Sequence, residues 1–351
     1  MCIYYKDVQE LTYQNREHVF PAGLGGKIKL EKGVVSDQAN AHFSSMELKL
    51  MRQSLIASDR MIFGPGDRGS LSPEKASKSL VVVGVETNGR AVLSYTSNRK
   101  PYNISQFYMS DHTIRISMQN KHTDISNERD QFLNALRKFE DVFVHLKSSN
   151  IKKGEMIIGY LDGKYYVATS GERPEKDSVQ AAINLFLSKF SFDSITEFET
   201  RIQQDHLLAE DQETDRMYAK IAMNTLAFIR GADYSLNSAF DDIRNWIVNG
   251  EAEHDYLSLP NVVTIGGPEE KITRIFPPNS HWCIFVKYRS MLSAVVCLYN
   301  HYHRQFAFGK IDETEPGFPF GFICDWKNKR EYTLEEYINE FAKNHFRRNM
   351  L

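Results

Sequence analysis

Three polar side chains near the start of the chain, Glu17, His18 and Asn40, have the types that metal-assisted hydrolysis uses. An imidazole is a suitable general base near neutral pH, because its unperturbed pKa is about 6.5. Carboxylate and carboxamide oxygens are hard ligands for Mg²⁺, which keeps several waters and needs few protein groups. Hydrolysis of a phosphodiester needs both parts, since a base must activate water and a cation must stabilise the charge on phosphorus and on the leaving oxygen.

The local sequence predicts that the Glu17-His18 pair lies at the end of a strand. The two apolar residues that follow the pair favour extended backbone, and Pro21 disfavours helix at the residue before it. After a glycine-rich turn, the alternation of charged and apolar residues in 27–30 predicts a second short strand, and residues 34–35 are a further candidate.

Asn40 falls in the first turn of a predicted helix. Ser36 and Asp37 are residue types that cap helix N-termini, and apolar residues then recur at helical spacing. The apolar positions that imply one buried face are Phe43, Met46, Leu50, Met51 and Leu55. A helix that begins near Asp37 turns Asn40 back towards Glu17, so the order strand, loop, strand, helix is expected to bring the three polar groups together.

This segment resembles the HNH (ββα-metal) nuclease superfamily, in the branch that carries an EHVxPxxLGG motif. Residues 17–26 read EHVFPAGLGG, and the end of the family motif is matched by Asn40, Phe43, Ser44 and Glu47. The resemblance implies that Glu17 and Asn40 are metal ligands and that His18 is the general base. It covers about residues 1–55, and residues 217–250 resemble, less specifically, the C-terminal half of HNH proteins of this branch.

The chain departs from the family at the positions that usually hold a structural zinc. Four cysteines are typical there, whereas the matching residues of this chain are Cys2, Tyr5, Ser36 and Ala39. One thiolate does not make a zinc site, so no structural Zn is expected. Packing of Tyr4, Tyr5 and Phe43 is expected to hold the segment together instead.

The bulk composition is that of an ordinary globular protein. The chain has 351 residues, 42% hydrophobic and 25% charged, with a formal net charge of −2, which argues against a coat of non-specific nucleic-acid contacts. The four cysteines are widely scattered and form no C-x-x-C pair. No apolar run approaches the roughly 18 residues of a membrane span, and the N-terminus does not resemble a signal peptide, so a cytoplasmic protein with no membrane partner is expected.

We expect two domains in an α+β fold. A break rich in glycine, proline and serine at residues 64–79 separates an HNH-like nuclease module, 1–70, from a mixed α+β body, 71–351, for recognition, regulation or dimerisation. Asn88-Gly89 and Asp162-Gly163 predict hairpins. The rest of the body is predicted as a helix at 127–144 and helices at 177–190, 195–202, 217–229 and 238–250, the third of these ending at Gly231. Strands are predicted at 262–265 and between 282 and 311, and a closing helix from Leu334 is capped by Thr333 and Glu336.

The predicted function is a metal-dependent endonuclease, with Mg (or Mn) as cofactor and double-stranded DNA as the substrate. A homodimer is expected, because one such active site cuts one strand, and the resemblance implies a role in restriction or anti-phage defence. The alternative is a catalytically decayed HNH-fold module that binds DNA or another protein. A third reading puts an unrelated catalytic function in the C-terminal body, although no nucleotide loop, G-x-S-x-G or H-E-x-x-H motif supports it.

Other polar residues have two interpretations each. Lys49, Arg52 and Arg60 either contact a DNA backbone or form an exposed helix face. His281, His301 and His303 suggest a metal site, but no acid–histidine frame surrounds them, so a structural role is the simpler interpretation.

Overall fold

The structure, a computed structural model, describes residues 1–6, 8–72, 75–97, 100–110, 113–119, 124–189, 201–204, 211–251 and 275–348, with only the backbone of 67 and 342–348. It is a mixed α+β fold. The helices are α1 Asp37–Gln53, α2 Leu55–Phe63, α3 Ile125–Arg137, α4 Lys176–Lys189, α5 Gln212–Arg230, α6 Ala232–Ser235, α7 Asp241–Asn249 and α8 Leu334–Arg348. The strands are β1 Val82–Glu86, β2 Ala91–Ser97, β3 Lys100–Asn103, β4 Ser105–Met109, β5 Ile114–Ser117, β6 Phe143–Lys147, β7 Met156–Leu161, β8 Lys164–Thr169, β9 Ile202–Gln203, β10 His281–Tyr288, β11 Met291–Leu298, β12 Tyr302–Lys310, β13 Phe320–Asp325 and β14 Arg330–Thr333.

Packing divides the chain into two compact units. The first combines residues 1–77 with residues 208–351, and the second consists of residues 78–207. The N-terminal segment therefore shares its unit with the C-terminal part of the chain. The functional division into 1–70 and 71–351 stays a prediction, because packing does not test which residues perform which task.

The first unit is built on an antiparallel sheet with strand order β12-β11-β10-β13-β14. Helix α5 lies in the core between this sheet and the N-terminal segment, and every residue from 216 to 227 is buried. A helix buried on all sides is normally apolar all round. The buried polar residues of this run, Arg216, Lys220, Asn224 and Thr225, must therefore have partners inside the protein.

The second unit contains two sheets. One has the order β3-β2-β1-β9, and the other has the order β5-β4-β7-β8-β6, with β6 and β8 parallel. Helices α3 and α4 cover the larger sheet, where the rings of Phe107 and Phe186 stack with centroids 4.2 Å apart.

Several local predictions are confirmed. The hairpins at Asn88-Gly89 and Asp162-Gly163 form as expected, and Thr333 and Glu336 cap α8 with reciprocal hydrogen bonds. Helix α3 is shorter than predicted. Phe139 lies after the helix and Phe143 lies in β6, but both face the core that α3 covers. Their spacing in the sequence therefore resembled a continuation of the helix. Strands β3, β4, β6, β9, β13 and β14 were not predicted. Residues 195–200 of the predicted helix 195–202 and the predicted strand 262–265 lie outside the described residues, and Ile202 begins β9 instead.

No helix in the described part of the chain combines the length and the hydrophobicity needed to cross a membrane.

Candidate functional site

A short antiparallel ribbon carries Glu17 and His18. The N–H of Val19 donates to the carbonyl of Ile28 at 3.0 Å, the N–H of Leu30 donates to the carbonyl of Glu17 at 2.8 Å, and His18 pairs with Lys29 in an isolated bridge. The pairing at Lys29 is all that forms of the strand predicted at 27–30. Residues 34–35 form no strand, because the carbonyl of residue 34 accepts instead from the N–H of residue 3 at 3.0 Å.

The turn that closes this ribbon requires its glycines. Gly25 has φ +90°, and a Cβ there would lie 2.5 Å from the Cβ of Trp326. A Cβ on Gly26 would lie 2.0 Å from the carbonyl oxygen of Phe20. Both distances are shorter than side chains tolerate, so the Leu-Gly-Gly part of the motif has a steric role in the fold.

Three side chains from elsewhere in the unit hold the turn in place. The Glu331 carboxylate on β14 accepts the backbone N–H groups of residues 27 and 28, at 2.9 and 2.7 Å. Arg60 Nε donates to the carbonyl of residue 23 at 2.8 Å, and His281 Nε2 contacts the carbonyl of residue 24 at 3.1 Å. Arg60 and His281 are buried, so they act as structural supports of the loop.

Helix α1 begins as predicted. The hydroxyl of Ser36 accepts the N–H of Ala39 at 3.2 Å, which caps the N-terminus. The Asp37 carboxylate accepts the N–H groups of Gln14 and Asn15, which keeps the pKa of Asp37 low, at about 2. The cap thus ties the helix to the loop that precedes the Glu17-His18 pair.

Packing of aromatic and apolar side chains holds the N-terminal segment together. The rings of Tyr4 and Phe43 meet edge to face at 4.9 Å, and Tyr5 lies half-buried against the same core. Cys2 is fully buried, and its Sγ accepts the N–H of Ser36 at 3.4 Å. Two of the four positions that correspond to zinc ligands are therefore in direct contact with each other.

Helix α5 supplies the two side chains that fix Glu17 and His18. Asn224 Nδ2 donates to the backbone carbonyl of His18 at 2.9 Å, and its Oδ1 accepts the Tyr4 hydroxyl at 2.6 Å. Lys220, one turn earlier on the same face, donates to the Glu17 carboxylate. Consecutive residues of the ribbon are thus held by side chains four positions apart on one helix.

The Lys220 ammonium lies between two carboxylates. It forms ion pairs with Glu17 Oε1 and, at 2.7 Å, with Glu47 Oε1 on α1, and it lies 5.3 Å from the ring centroid of Phe43. The Lys220 side chain is only 1% exposed. Burial alone would lower its pKa, but the charges and hydrogen bonds of the two carboxylates outweigh that effect and raise the pKa of Lys220 above its usual value.

The surroundings of His18 favour the neutral form of its imidazole. Burial and the positive charges of Lys29 and Lys220 lower its pKa, and the carboxylates of Glu17 and Glu47 oppose that shift. Among the described residues its ring has no hydrogen-bond partner. A half-buried imidazole whose ring nitrogens have no partner among the described residues has the chemistry of a general base.

Asn40 carries a buried oxygen without a partner. Its Oδ1 is shielded from solvent and accepts no hydrogen bond within the described part of the chain. Asn40 and Glu47 are seven residues apart on α1, so they project from the same side of the helix about 10 Å apart along its axis. Because an unsatisfied buried oxygen costs about 1–3 kcal/mol, it suits a site that a ligand completes.

Glu17 and Asn40 carry oxygens of the types that a hard divalent cation binds. Glu17 has a second carboxylate oxygen besides the one that accepts from Lys220, and Asn40 Oδ1 has no partner among the described residues. The Lys220 ammonium already lies between the carboxylates of Glu17 and Glu47. In the described residues, no group of three or more His, Cys, Asp or Glu could hold a metal ion. A site that used one carboxylate, one carboxamide and waters would contain fewer than three such side chains.

Several other candidate residues have structural roles. Lys49 forms ion pairs with Asp211 and Glu213, and Arg60 is buried. These two residues therefore do not form an exposed basic face with Arg52. His42 Nε2 contacts the carbonyl of Val248 at 2.9 Å.

Sequence reasoning missed Lys220, Asn224 and the ionic role of Glu47. A signal was present, since Lys220 and Asn224 stand four positions apart, on one face of the mainly apolar part of α5. It was not usable, because nothing in the sequence relates residue 220 to residue 17.

The chain matches no family model, no curated protein and no solved structure.

Proposed function

We propose that this protein is a metal-dependent endonuclease of the HNH type that hydrolyses phosphodiester bonds in DNA. The observation that supports it most is the environment of His18. Burial lowers its pKa, its ring has no hydrogen-bond partner among the described residues, and it lies near the carboxylates of Glu17 and Glu47. The bridge between His18 and Lys29 followed by helix α1 is compatible with a minimal ββα-metal module.

In the proposed reaction, a ring nitrogen of His18 accepts a proton from the attacking water. Asn224 fixes the backbone of His18, so the ring keeps its position during the transfer. Glu17 and Asn40 would hold Mg²⁺ or Mn²⁺, which stabilises the charge that develops on phosphorus and on the departing 3′-oxygen. Lys220 keeps the Glu17 carboxylate oriented.

The biological setting of this proposal is double-stranded DNA in the cytoplasm, in restriction or anti-phage defence. One site of this kind cuts one strand, so a double-strand break would require a homodimer. No structural zinc is part of the proposal, because the cysteine positions of the related family are occupied by Tyr5, Ser36 and Ala39.

The test is cleavage of supercoiled plasmid by the full chain in Mg²⁺, in Mn²⁺ and in EDTA. A general base typically contributes a factor of 10² to 10⁴, so His18→Ala is expected to lower the rate at least about a hundredfold. His303→Ala is the matched control, since His303 is exposed on β12 and the site does not use it. Undiminished metal-dependent cleavage by His18→Ala eliminates the assignment of His18.

The second candidate is a decayed HNH-fold module that binds DNA or another protein without cleaving. The ion pair between Glu17 and Lys220 favours it, because an internal cation already partners the proposed metal ligand. This candidate predicts DNA binding that EDTA does not change, no plasmid cleavage in either metal, and no effect of His18→Ala on any activity.

A further inference from the structure

The cluster of Glu17, Glu47 and Lys220 contains one more negative than positive charge. Both carboxylates contact one ammonium, which is buried and contacts no solvent of its own. The side chains of Glu17 and Glu47 are 12% and 31% exposed, so the cluster opens towards solvent on the carboxylate side only. Its remaining negative charge is therefore available to a cation that approaches from that side.

We propose that Lys220 is an internal competitor for the divalent cation, a positioning residue that cancels one carboxylate charge so that the metal binds weakly and reversibly. This inference rests on the proposed function, since it concerns the metal of that same site.

The geometry distinguishes this role from that of an ordinary surface ion pair. Surface pairs are hydrated and contribute little, whereas a buried ammonium has lost its water and interacts strongly with every charge near it. The aromatic ring of Phe43 adds a further favourable contact for the positive group. Lys220 is thus held at the carboxylates in the absence of metal, and an incoming cation must share Glu17 with it.

The number of charges predicts how substitutions change metal affinity. Lys220→Met keeps most of the side-chain volume but leaves two carboxylates without their cation. Glu47→Gln leaves Glu17 and Lys220 as a neutral pair. The double variant Lys220→Met with Glu47→Gln restores the wild-type excess of one negative charge and is the matched control.

The experiment is calorimetric titration of Mn²⁺ into the full chain of each variant, with melting temperature measured alongside. Affinity is expected to rise at least about tenfold in Lys220→Met and to fall at least about tenfold in Glu47→Gln, because a unit charge in a partly buried site acts strongly on a divalent ion. The double variant is expected to bind within about threefold of the wild type. Lys220→Met should also melt at a lower temperature without metal and recover on addition of Mn²⁺.

The possible results separate this inference from the proposed function. If the wild type binds Mn²⁺ and all variants bind with the same affinity, the competitor role is wrong while a metal-dependent function stands. Binding by Lys220→Met alone supports the competitor role and counts against a metal-dependent wild type. Absence of binding in every variant overturns both, and if Lys220→Met does not fold, an undiminished affinity of Glu47→Gln overturns the inference by itself.

Discussion

At the scale of single residues, His281 shows how a polar group is used to build the site without taking part in it. Its Nδ1 accepts the N–H of Tyr299 at 2.9 Å, so Nε2 carries the proton that reaches the carbonyl of Leu24. Complete burial lowers the pKa of His281 to about 3. The ring is therefore neutral in the folded protein across the ordinary pH range, and the metal interpretation of this histidine has no support in its contacts.

This environment predicts a pH dependence of stability. The unfolded chain protonates His281 near its usual pKa of about 6.5, whereas the folded protein does not, so stability present above pH 6.5 is lost as the pH falls towards 3. Between pH 7 and pH 5 the loss from this group should be about 2 kcal/mol.

The measurement compares the free energy of unfolding of the wild type and His281→Asn at the two pH values. Asn keeps an acceptor for Tyr299 but does not titrate, so the stability advantage of the wild type should shrink by about 2 kcal/mol at pH 5. A difference that does not vary with pH would show that His281 is not buried in its neutral form.

At the scale of elements, helix α5 is the scaffold of the site. Asn224 is fully buried and joins the hydroxyl of Tyr4 to the carbonyl of His18. Removal of the amide in Asn224→Ala leaves the His18 carbonyl without its donor, while the Tyr4 hydroxyl keeps the Lys220 carbonyl at 3.2 Å. This change should cost about 1–3 kcal/mol, and Tyr4→Phe should cost about 1–2 kcal/mol.

A double-mutant cycle tests this connection. Because Tyr4 and Asn224 share one hydrogen bond, the double variant should lose about 1 kcal/mol less than the sum of the single variants. Tyr5→Phe is the control, since Tyr5 is only half-buried, and it should change stability by less than about 0.5 kcal/mol. Additive losses would mean that the bond between Tyr4 and Asn224 does not support the ribbon.

The same scale shows which parts of the structure could be predicted from the sequence. The cap at Ser36, the hairpin turns and the end of α5 before Gly231 depend on neighbouring residues, and each was found. Local sequence also identified Glu17, His18 and Asn40 as candidates. The supports of the site were not found, because Lys220 and Glu331 reach it from about 200 and 300 positions away. The ribbon is shorter than predicted, and its backbone is held by distant side chains, among them Glu331 and Asn224.

At the scale of the whole molecule, the candidate site belongs to the first unit alone. One hydrophobic core includes residues of the N-terminal segment, of α5 and of the sheet β12-β11-β10-β13-β14. Phe20, Phe43 and Leu50 are buried against residues that the chain supplies only after position 208. The N-terminal segment therefore has no complete core of its own.

This arrangement predicts how fragments behave. Residues 1–77 alone should not fold cooperatively, because they lack Lys220, Asn224 and most of the core. Residues 1–77 joined to 208–351 by a flexible Gly/Ser linker of about 20 residues, which spans about 25 Å on average, should fold.

Far-ultraviolet circular dichroism and thermal unfolding distinguish the two fragments, and the Mn²⁺ titration shows whether the joined fragment keeps the affinity of the full chain. If residues 1–77 unfold cooperatively by themselves, the N-terminal segment is an independent domain and its contacts with α5 are not needed for folding. If only the joined fragment folds, any catalytic role of the Glu17-His18 pair depends on the C-terminal part of the chain.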